Sequence, residues 1–336
     1  MPKRRILKRI RTKMQRVLYP FVPSVLSFKK GKDKDIILLA SRRSGSTHLN
    51  WVLAYHQGIR LIDQPLAVFQ TNTPAGKIKS LYLPSMPYGQ FVSLAPGQET
   101  IVYNYVSMLL RGKFRPLGKV PVWDFPFLSN RTVIKECDSL PLIDWFNRKF
   151  DVSIIYLTRH PIPQSLSVVR NKWGITANAY LENETFSSLY LNAEKIKYAK
   201  NLLSKGTYFE KAMVNWCLEN LVPLKYCKSE ILRITYEELV LNPRATIEWL
   251  SNRLNLVHSN EIYEIINIPF QSALSEERTR VAIRKGEREY LINRWQDMVS
   301  PDQLDSAKDI FEAFAIYDYR VNESRPAPNL IHFSNT

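Results

Sequence analysis

Ile36 to Ala40 is an unbroken apolar run, and Thr47 to His56 behind it has helical spacing; the same strand-to-helix alternation returns at Thr132 to Glu136 followed by Leu140 to Phe150, and at Val152 to Thr158 followed by Pro163 to Asn171. A strand apolar at consecutive positions is buried on both faces, which requires helices on both sides of a parallel sheet. Ile231 to Thr235 is a fourth candidate strand. Pro243 opens a further helix through Leu254, with proline at a favourable first-turn position and Asn242 as candidate cap. The expected fold class is α/β, a central parallel β-sheet flanked by helices.

The domain is expected to begin near Asp35, behind a polar linker from Lys29 to Lys34, and to span 35–325, leaving a short tail over 326–336. Residues 69–130 are rich in Pro, Tyr, Phe and Met with weak periodicity apart from a helix around Val102 to Leu110, and read as a lid or acceptor-side insertion. Their aromatic and methionine side chains would suit an apolar acceptor wall or plain core. Phe186 to Leu203 and Phe209 to Cys227 read as helices packed outside the sheet. A chain of 336 residues, 45% hydrophobic, can build its core without staples. Its three cysteines, Cys137, Cys217 and Cys227, show neither CxxC nor Cys/His spacing, so no disulfide framework or zinc site is indicated and a reducing compartment fits.

Much of the net charge of +16 sits in residues 1–34, which hold twelve of the 47 Lys and Arg and a single acid. Ile6, Ile10, Met14, Val17, Leu18 and Phe21 recur at helical spacing there, giving an apolar stripe beside a basic face. Peripheral contact of residues 1–26 with an anionic membrane is one reading; a solvated arm, a nucleic-acid arm and a presequence-like segment fit the same composition. No specific nucleic-acid partner is expected. No stretch is long enough to span a bilayer, and no short apolar core precedes a small-residue cleavage site. The expected location is the cytoplasm, with association at the inner face of a membrane left open.

Between the first strand and its helix lies Ser41-Arg42-Arg43-Ser44-Gly45-Ser46-Thr47, placed where backbone N–H groups and the helix dipole hold anions. Ser46 and Thr47 add hydroxyls and Arg43 adds charge. The loop is not a Walker A motif, which needs GxxxxGK[ST] with its lysine beside a magnesium-binding hydroxyl. Arg159-His160-Pro161 ends the third run, and Ser167 follows eight residues after Arg159, so both can serve a second phosphate.

These landmarks resemble those of the sulfotransferases that use 3′-phosphoadenosine 5′-phosphosulfate (PAPS). Arg43-Ser44-Gly45-Ser46-Thr47 resembles their 5′-phosphosulfate loop, and Arg159 with Ser167 their 3′-phosphate site. Ile234-Thr235-Tyr236-Glu237-Glu238-Leu239 with Asn242-Pro243 is similar to the segment whose tyrosine lies against adenine, a role that falls to Tyr236. Ile283-Arg284-Lys285-Gly286, followed by Asn293-Arg294-Trp295, is similar to their RKG loop and subsequent tryptophan, implying that Arg284, Lys285 and Gly286 bind the donor. The four landmarks occur in order from Ile36 to about Tyr319. The resemblance implies a P-loop-like sulfotransferase architecture, PAPS as co-substrate, its desulfonated form PAP as product, and no metal.

The resemblance further implies roles in catalysis. Sulfuryl transfer needs in-line geometry, cations for the charge on oxygen, and a base for the acceptor proton. Arg43 would stabilise the leaving 5′-phosphate, and Lys135 takes the position of the family's catalytic lysine. Asp63 is the expected base, by a gapless reading against tyrosylprotein sulfotransferases. Reading Gln64-Pro65-Leu66 against carbohydrate sulfotransferases puts Gln64 at the acidic position, with Asp63 one residue away. His56 is expected at the surface or as a cap. His48 stands where phenol and steroid enzymes carry tryptophan, and residues 100–140 hold no histidine, which favours carbohydrate-, lipid- or peptide-modifying relatives. The acceptor expected is a carbohydrate, glycolipid or other amphiphile. The alternatives are a nucleotide-dependent kinase and a non-catalytic nucleotide- or membrane-binding adaptor.

Overall fold

The computed structural model describes residues 28–56, 58–68, 80–113, 129–257, 262–263, 268 and 277–330. The basic arm over 1–27, and parts of the expected insertion at 69–79 and 114–128, lie outside the described residues.

Five strands form one sheet: β1 (Asp35–Ala40), β2 (Ile59–Asp63), β3 (Arg131–Glu136), β4 (Val152–Thr158) and β5 (Leu232–Thr235). Their order is β2-β3-β1-β4-β5 and every pairing is parallel. Consecutive residues point to opposite faces. Ile37, Leu39, Ile134, Ile154 and Tyr156 enter one apolar cluster, and Ile36, Leu38, Val133, Ile155 and Leu157 the other. Both faces are covered, as the unbroken apolar runs require.

The described helices, numbered here in chain order, begin with α1 (Ser46–Ala54), α2 (Pro96–Leu110), α3 (Ile143–Lys149), α4 (Pro161–Arg170) and α5 (Asn178–Leu181). Then come α6 (Glu184–Tyr190), α7 (Ala193–Lys205), α8 (Tyr208–Leu221), α9 (Tyr236–Leu241) and α10 (Pro243–Leu254). The last are α11 (Glu277–Lys285), α12 (Arg288–Asn293) and α13 (Pro301–Phe314). Among the described residues, no helix is long and apolar enough to cross a membrane.

Several expectations need correction. β2 has no long apolar run, because Arg60 interrupts it. That side chain is nonetheless buried, with Nε donating to Thr132 Oγ1 at 2.8 Å and the guanidinium 3.9 Å from the Phe28 ring centroid. The expected single helix over Phe186 to Leu203 is two, since the Asn192 side chain accepts from Lys195 N and starts α7 afresh. α8 ends before Cys227, in a wider turn over Val222–Tyr226 that contains Pro223. Within the expected insertion, α2 is core rather than cover: Val102, Tyr105, Val106 and Leu109 lie at helical spacing and are buried in the main cluster. Leu330, in the expected C-terminal tail, is buried there too. His56 is also buried, its Nδ1 3.1 Å from Val257 O.

The sheet order locates the site. From β1 the chain moves outward to β2, returns to β3 beside β1, and then crosses to β4 on the other side of β1. The connections leaving β1 and β4 therefore diverge, opening a crevice at the strands' carboxyl ends, where open parallel sheets bind ligands.

Candidate active site

All five strands deliver residues to a cavity of about 280 Å³ at their carboxyl ends. Behind β1 the chain turns through two left-handed residues, Arg43 at φ 69° and Gly45 at φ 93°. Turns of this kind gather successive N–H groups towards an anion, and the first N–H groups of α1 have no acceptors within the helix. Gly45 is required on two counts. Beyond its φ, a Cβ there would stand 2.5 Å from Cδ2 of Tyr236. Gln164 of α4 fixes the loop from below, its Nε2 donating to Ser41 Oγ at 2.7 Å and Arg42 O at 2.8 Å.

Arg43, Ser167, Arg159 and Tyr236, far apart in sequence, meet at this loop. Arg43 Nε donates to Ser167 Oγ at 3.0 Å, and Arg159 Nη1 donates to Arg43 O at 3.0 Å. The Arg159 guanidinium lies 4.3 Å from the centroid of the Tyr236 ring. Tyr236 is held at the start of α9 by a capping box, in which Glu238 N donates to Thr235 Oγ1 while the Glu238 carboxylate accepts from Thr235 N.

This wall is strongly cationic. Burial, then Arg159 and Arg170, hold the Arg43 guanidinium below its ordinary pKa, and burial, then Arg294 and Arg159, do the same to Arg170. Neither Arg43 nor Arg159 makes an ion pair among the described residues. Ser44 Oγ and Arg159 Nε are buried with no hydrogen-bond partner. Mutually repelling cations and unmet buried polar atoms are what a bound anion would satisfy.

The opposite wall comes from β2 and β3. Asp63 stands opposite Lys135 in the strand pairing, and Lys135 Nζ donates to Asp63 Oδ1 at 2.8 Å. Burial works against the Lys135 charge, but Cys137, Asp63 and Glu136 outweigh it and leave the pKa raised. Lys135 and Gln64 line the cavity, while Asp63 sits beside it, its side chain 33% exposed. The buried Glu136 carboxylate ties the two strand ends together, accepting from Leu66 N at 2.9 Å and from Cys137 N at 2.9 Å. Ser46 and Thr47 line the cavity between the walls, with Ser46 Oγ 3.9 Å from Cys137 Sγ. His48 lines it as well, and burial pushes its pKa down to about 4.

The C-terminal landmark is only partly in place. Gly286 and Ile283 line the cavity, but Arg284 and Lys285 are exposed and do not. α11 runs through Lys285, so the two residues after Ile283 rotate away at about 100° each. Arg170, Arg288 and Arg294 line the cavity instead. Arg170 was legible: Pro163, Ser167 and Arg170 fall at i, i+4 and i+7 and share a helix face. Arg288, whose Nη1 donates to Val240 O at 2.7 Å, and the buried Glu136 carried no such signal.

Fold and site together define an α/β protein with a cluster of arginines at its strand ends. No family model matches the sequence, and no curated protein matches it. Solved structures to which it is similar include sulfotransferases. The sulfotransferase domain from the curacin biosynthetic pathway is 16% identical with a TM-score of 0.44, over 85% of this chain and 99% of that one. The sulfotransferase domain of the Synechococcus PCC 7002 olefin synthase is 18% identical with a TM-score of 0.44, over 84% and 98%. Mouse sulfotransferase SULT7A1 complexed with PAP is 15% identical with a TM-score of 0.40, over 88% and 89%.

Proposed function

We propose that this chain transfers the sulfuryl group of PAPS to a hydroxyl or amine of an acceptor. The observation that carries the reading is the contact series Ser167–Arg43–Arg159–Tyr236, two guanidinium groups without ion pairs among the described residues, beside an aromatic ring. An adenine nucleotide with phosphates at both ends of its ribose matches that series in charge and shape. The 5′-phosphosulfate falls to Arg43, Ser44, Gly45, Ser46 and Thr47, and the 3′-phosphate to Arg159 and Ser167. Arg170 and Arg294 stand in for Arg284 and Lys285, beside Gly286. Tyr236 covers the adenine. The unmet Ser44 Oγ and Arg159 Nε, and the close approach that position 45 permits, support this fit.

In the reaction the acceptor oxygen bonds to sulfur, the bond from sulfur to the bridging 5′-phosphate oxygen breaks, and PAP leaves with that electron pair. The acceptor proton passes to Asp63. Lys135 holds the Asp63 carboxylate and, with Arg43, offsets charge growing on the transferred and bridging oxygens. Peripheral contact of residues 1–26 with an anionic membrane remains part of the proposal.

Calorimetric titration with PAP in the absence of magnesium tests the reading, with ATP as control. Wild type is expected to bind PAP, and Arg159→Ala to bind it on the order of 10- to 100-fold more weakly, the loss of one charge-assisted contact. A folded wild type that ignores PAP overturns the proposal.

A further inference from the structure

Next to the donor cavity lies a second, shallower cleft of about 390 Å³, and the two share Arg42 and Trp173 as common wall. Its floor and rim include Tyr88, Lys172, Gly174 and Thr176. None of these has a role in donor binding.

The cleft has a particular chemistry. Trp173 is 38% exposed and Tyr88 45%, two large amphipathic rings brought to one cleft, each apolar over its face and polar at its tip. Both are held. Tyr208 Oη donates to Trp173 O, Trp173 N donates to Val168 O at 3.1 Å, and Tyr88 Oη donates to Glu182 Oε1 at 2.9 Å. Tyr88 and Lys172 both adopt left-handed backbone, at φ 52° and 51°, a cost that tends to persist at ligand sites. Polar groups surround the rings: the Lys172 ammonium is exposed, and Thr176 Oγ1, donating to Asn215 Oδ1 at 3.2 Å, keeps lone pairs to accept with. Arg42 contributes little free charge, being ion-paired to the buried Asp138.

An exposed aromatic platform with hydroxyl-compatible groups at its edge suits a molecule that has one apolar face and a polar rim. A pyranose has that form, its axial C–H bonds meeting the ring and its hydroxyls turned outwards. A flat phenol or steroid would ask for an enclosed apolar slot, and an open cleft with exposed Lys172 and Asn171 is not one. We infer that this cleft is the acceptor site and that it takes a saccharide, one sugar ring stacked on Trp173 and a neighbouring hydroxyl directed past Arg42 into the donor cavity. The inference rests on the sulfotransferase reading and supplies its acceptor class.

Two variants separate the inference from that reading. Trp173→Ala removes the platform. Gly174→Leu fills the cleft, where a Cβ meets nothing within 4 Å, so the fold need not adjust. The full-length protein is incubated with sulfur-labelled PAPS and lactose, cellotetraose, chitotriose or octyl glucoside, beside 2-naphthol and a tyrosine-containing peptide; PAP affinity is measured on the same samples. Transfer to at least one saccharide is expected, with its KM raised about tenfold in Trp173→Ala and transfer blocked in Gly174→Leu, while Gly174→Leu, whose residue lies outside the donor cavity, binds PAP as wild type does. Label reaching only naphthol or the peptide, reaching no saccharide although PAP binds, or reaching saccharides equally in both variants overturns the saccharide site and leaves the donor reading intact. Absence of PAP binding removes both.

Discussion

The two walls of the donor cavity carry positive charge in different ways. On the β2–β3 side each cation has its carboxylate: Lys135 is paired with Asp63 at 2.8 Å, and Arg42, close by, with Asp138. On the β1–β4 side Arg43 and Arg159 lie together without ion pairs among the described residues, and burial, then Arg159 and Arg170, lower the pKa of Arg43. Arg42 and Arg43 are consecutive residues. A paired buried cation fixes geometry and contributes to stability only in company, whereas an unpaired one costs stability until an anion arrives. Among the described residues the walls thus differ in what balances their charge: one carries its own carboxylates, and the other holds two guanidinium groups without them.

The largest effect expected from this contrast is on folding. Arg42→Ala leaves the fully buried Asp138 without its cation and should destabilise the protein by about 3–5 kcal/mol in urea unfolding. Adding Asp138→Asn should recover much of the loss. Next comes Arg43→Ala, expected to lower sulfuryl transfer about 10²- to 10³-fold, the usual weight of one donor at a developing charge. Its thermal midpoint should stay level or rise, because a repelling charge has gone. If Arg43→Ala unfolds the protein as Arg42→Ala does, the two walls do not differ in kind.

A smaller effect should follow pH. Glu237 is the carboxyl nearest to being a counterion for the donor wall: it accepts from His160 N at 3.0 Å and feels the charge of Arg159, yet burial pushes its pKa up to about 7. It is therefore neutral in the folded protein below that pH. A carboxyl whose folded pKa is raised stabilises the fold below its unfolded pKa, and that contribution is lost as pH climbs through the folded value. Glu237 should remove on the order of 3 kcal/mol of stability between about pH 5 and 8, beside the losses from Glu219 and Glu238, whose pKa values burial raises to about 7 and about 6. Affinity for PAP should weaken over the upper part of that window, as ionised Glu237 begins to offset Arg159. Glu237→Gln should make both profiles less steep in denaturation and calorimetry run from about pH 5 to 8; an unchanged slope would deny Glu237 this part.

Much of this was legible in the sequence because parallel strands are local signals. An unbroken apolar run marked β1, the repeated strand-to-helix alternation marked β3 and β4, and since ligands gather at strand ends, the residues just behind β1 and β4, Arg43 and Arg159, were marked as well. What escaped was whatever depended on distant partners. β2 looks polar through Arg60 until Thr132 and Phe28 surround it. Arg42 reads like Arg43 until Asp138, 96 residues on, is brought against it. Glu136 is a charged strand end in the sequence and a buried clasp between two strands in the fold.

Helix phase was the other blind spot, and it sets the smallest of the expected effects. Position in a motif places Arg284 and Lys285 on the 3′-phosphate; the geometry of α11 turns them to solvent, while Arg294, directly behind α12, lines the cavity with its Nη1 donating to Thr279 Oγ1. A solvent-facing arginine near a bound anion is screened, and its removal should weaken PAP binding by no more than about twofold. A cavity-lining arginine that depresses the pKa of Arg170 belongs to the same field as the ligand, and Arg294→Ala should cost on the order of tenfold. The ratio between the two variants is more telling than either value, since both remove one positive charge from nearby chain. Equal losses would mean that α11 shifts on binding and delivers its RKG residues after all, making the C-terminal landmark a moving part of the donor wall.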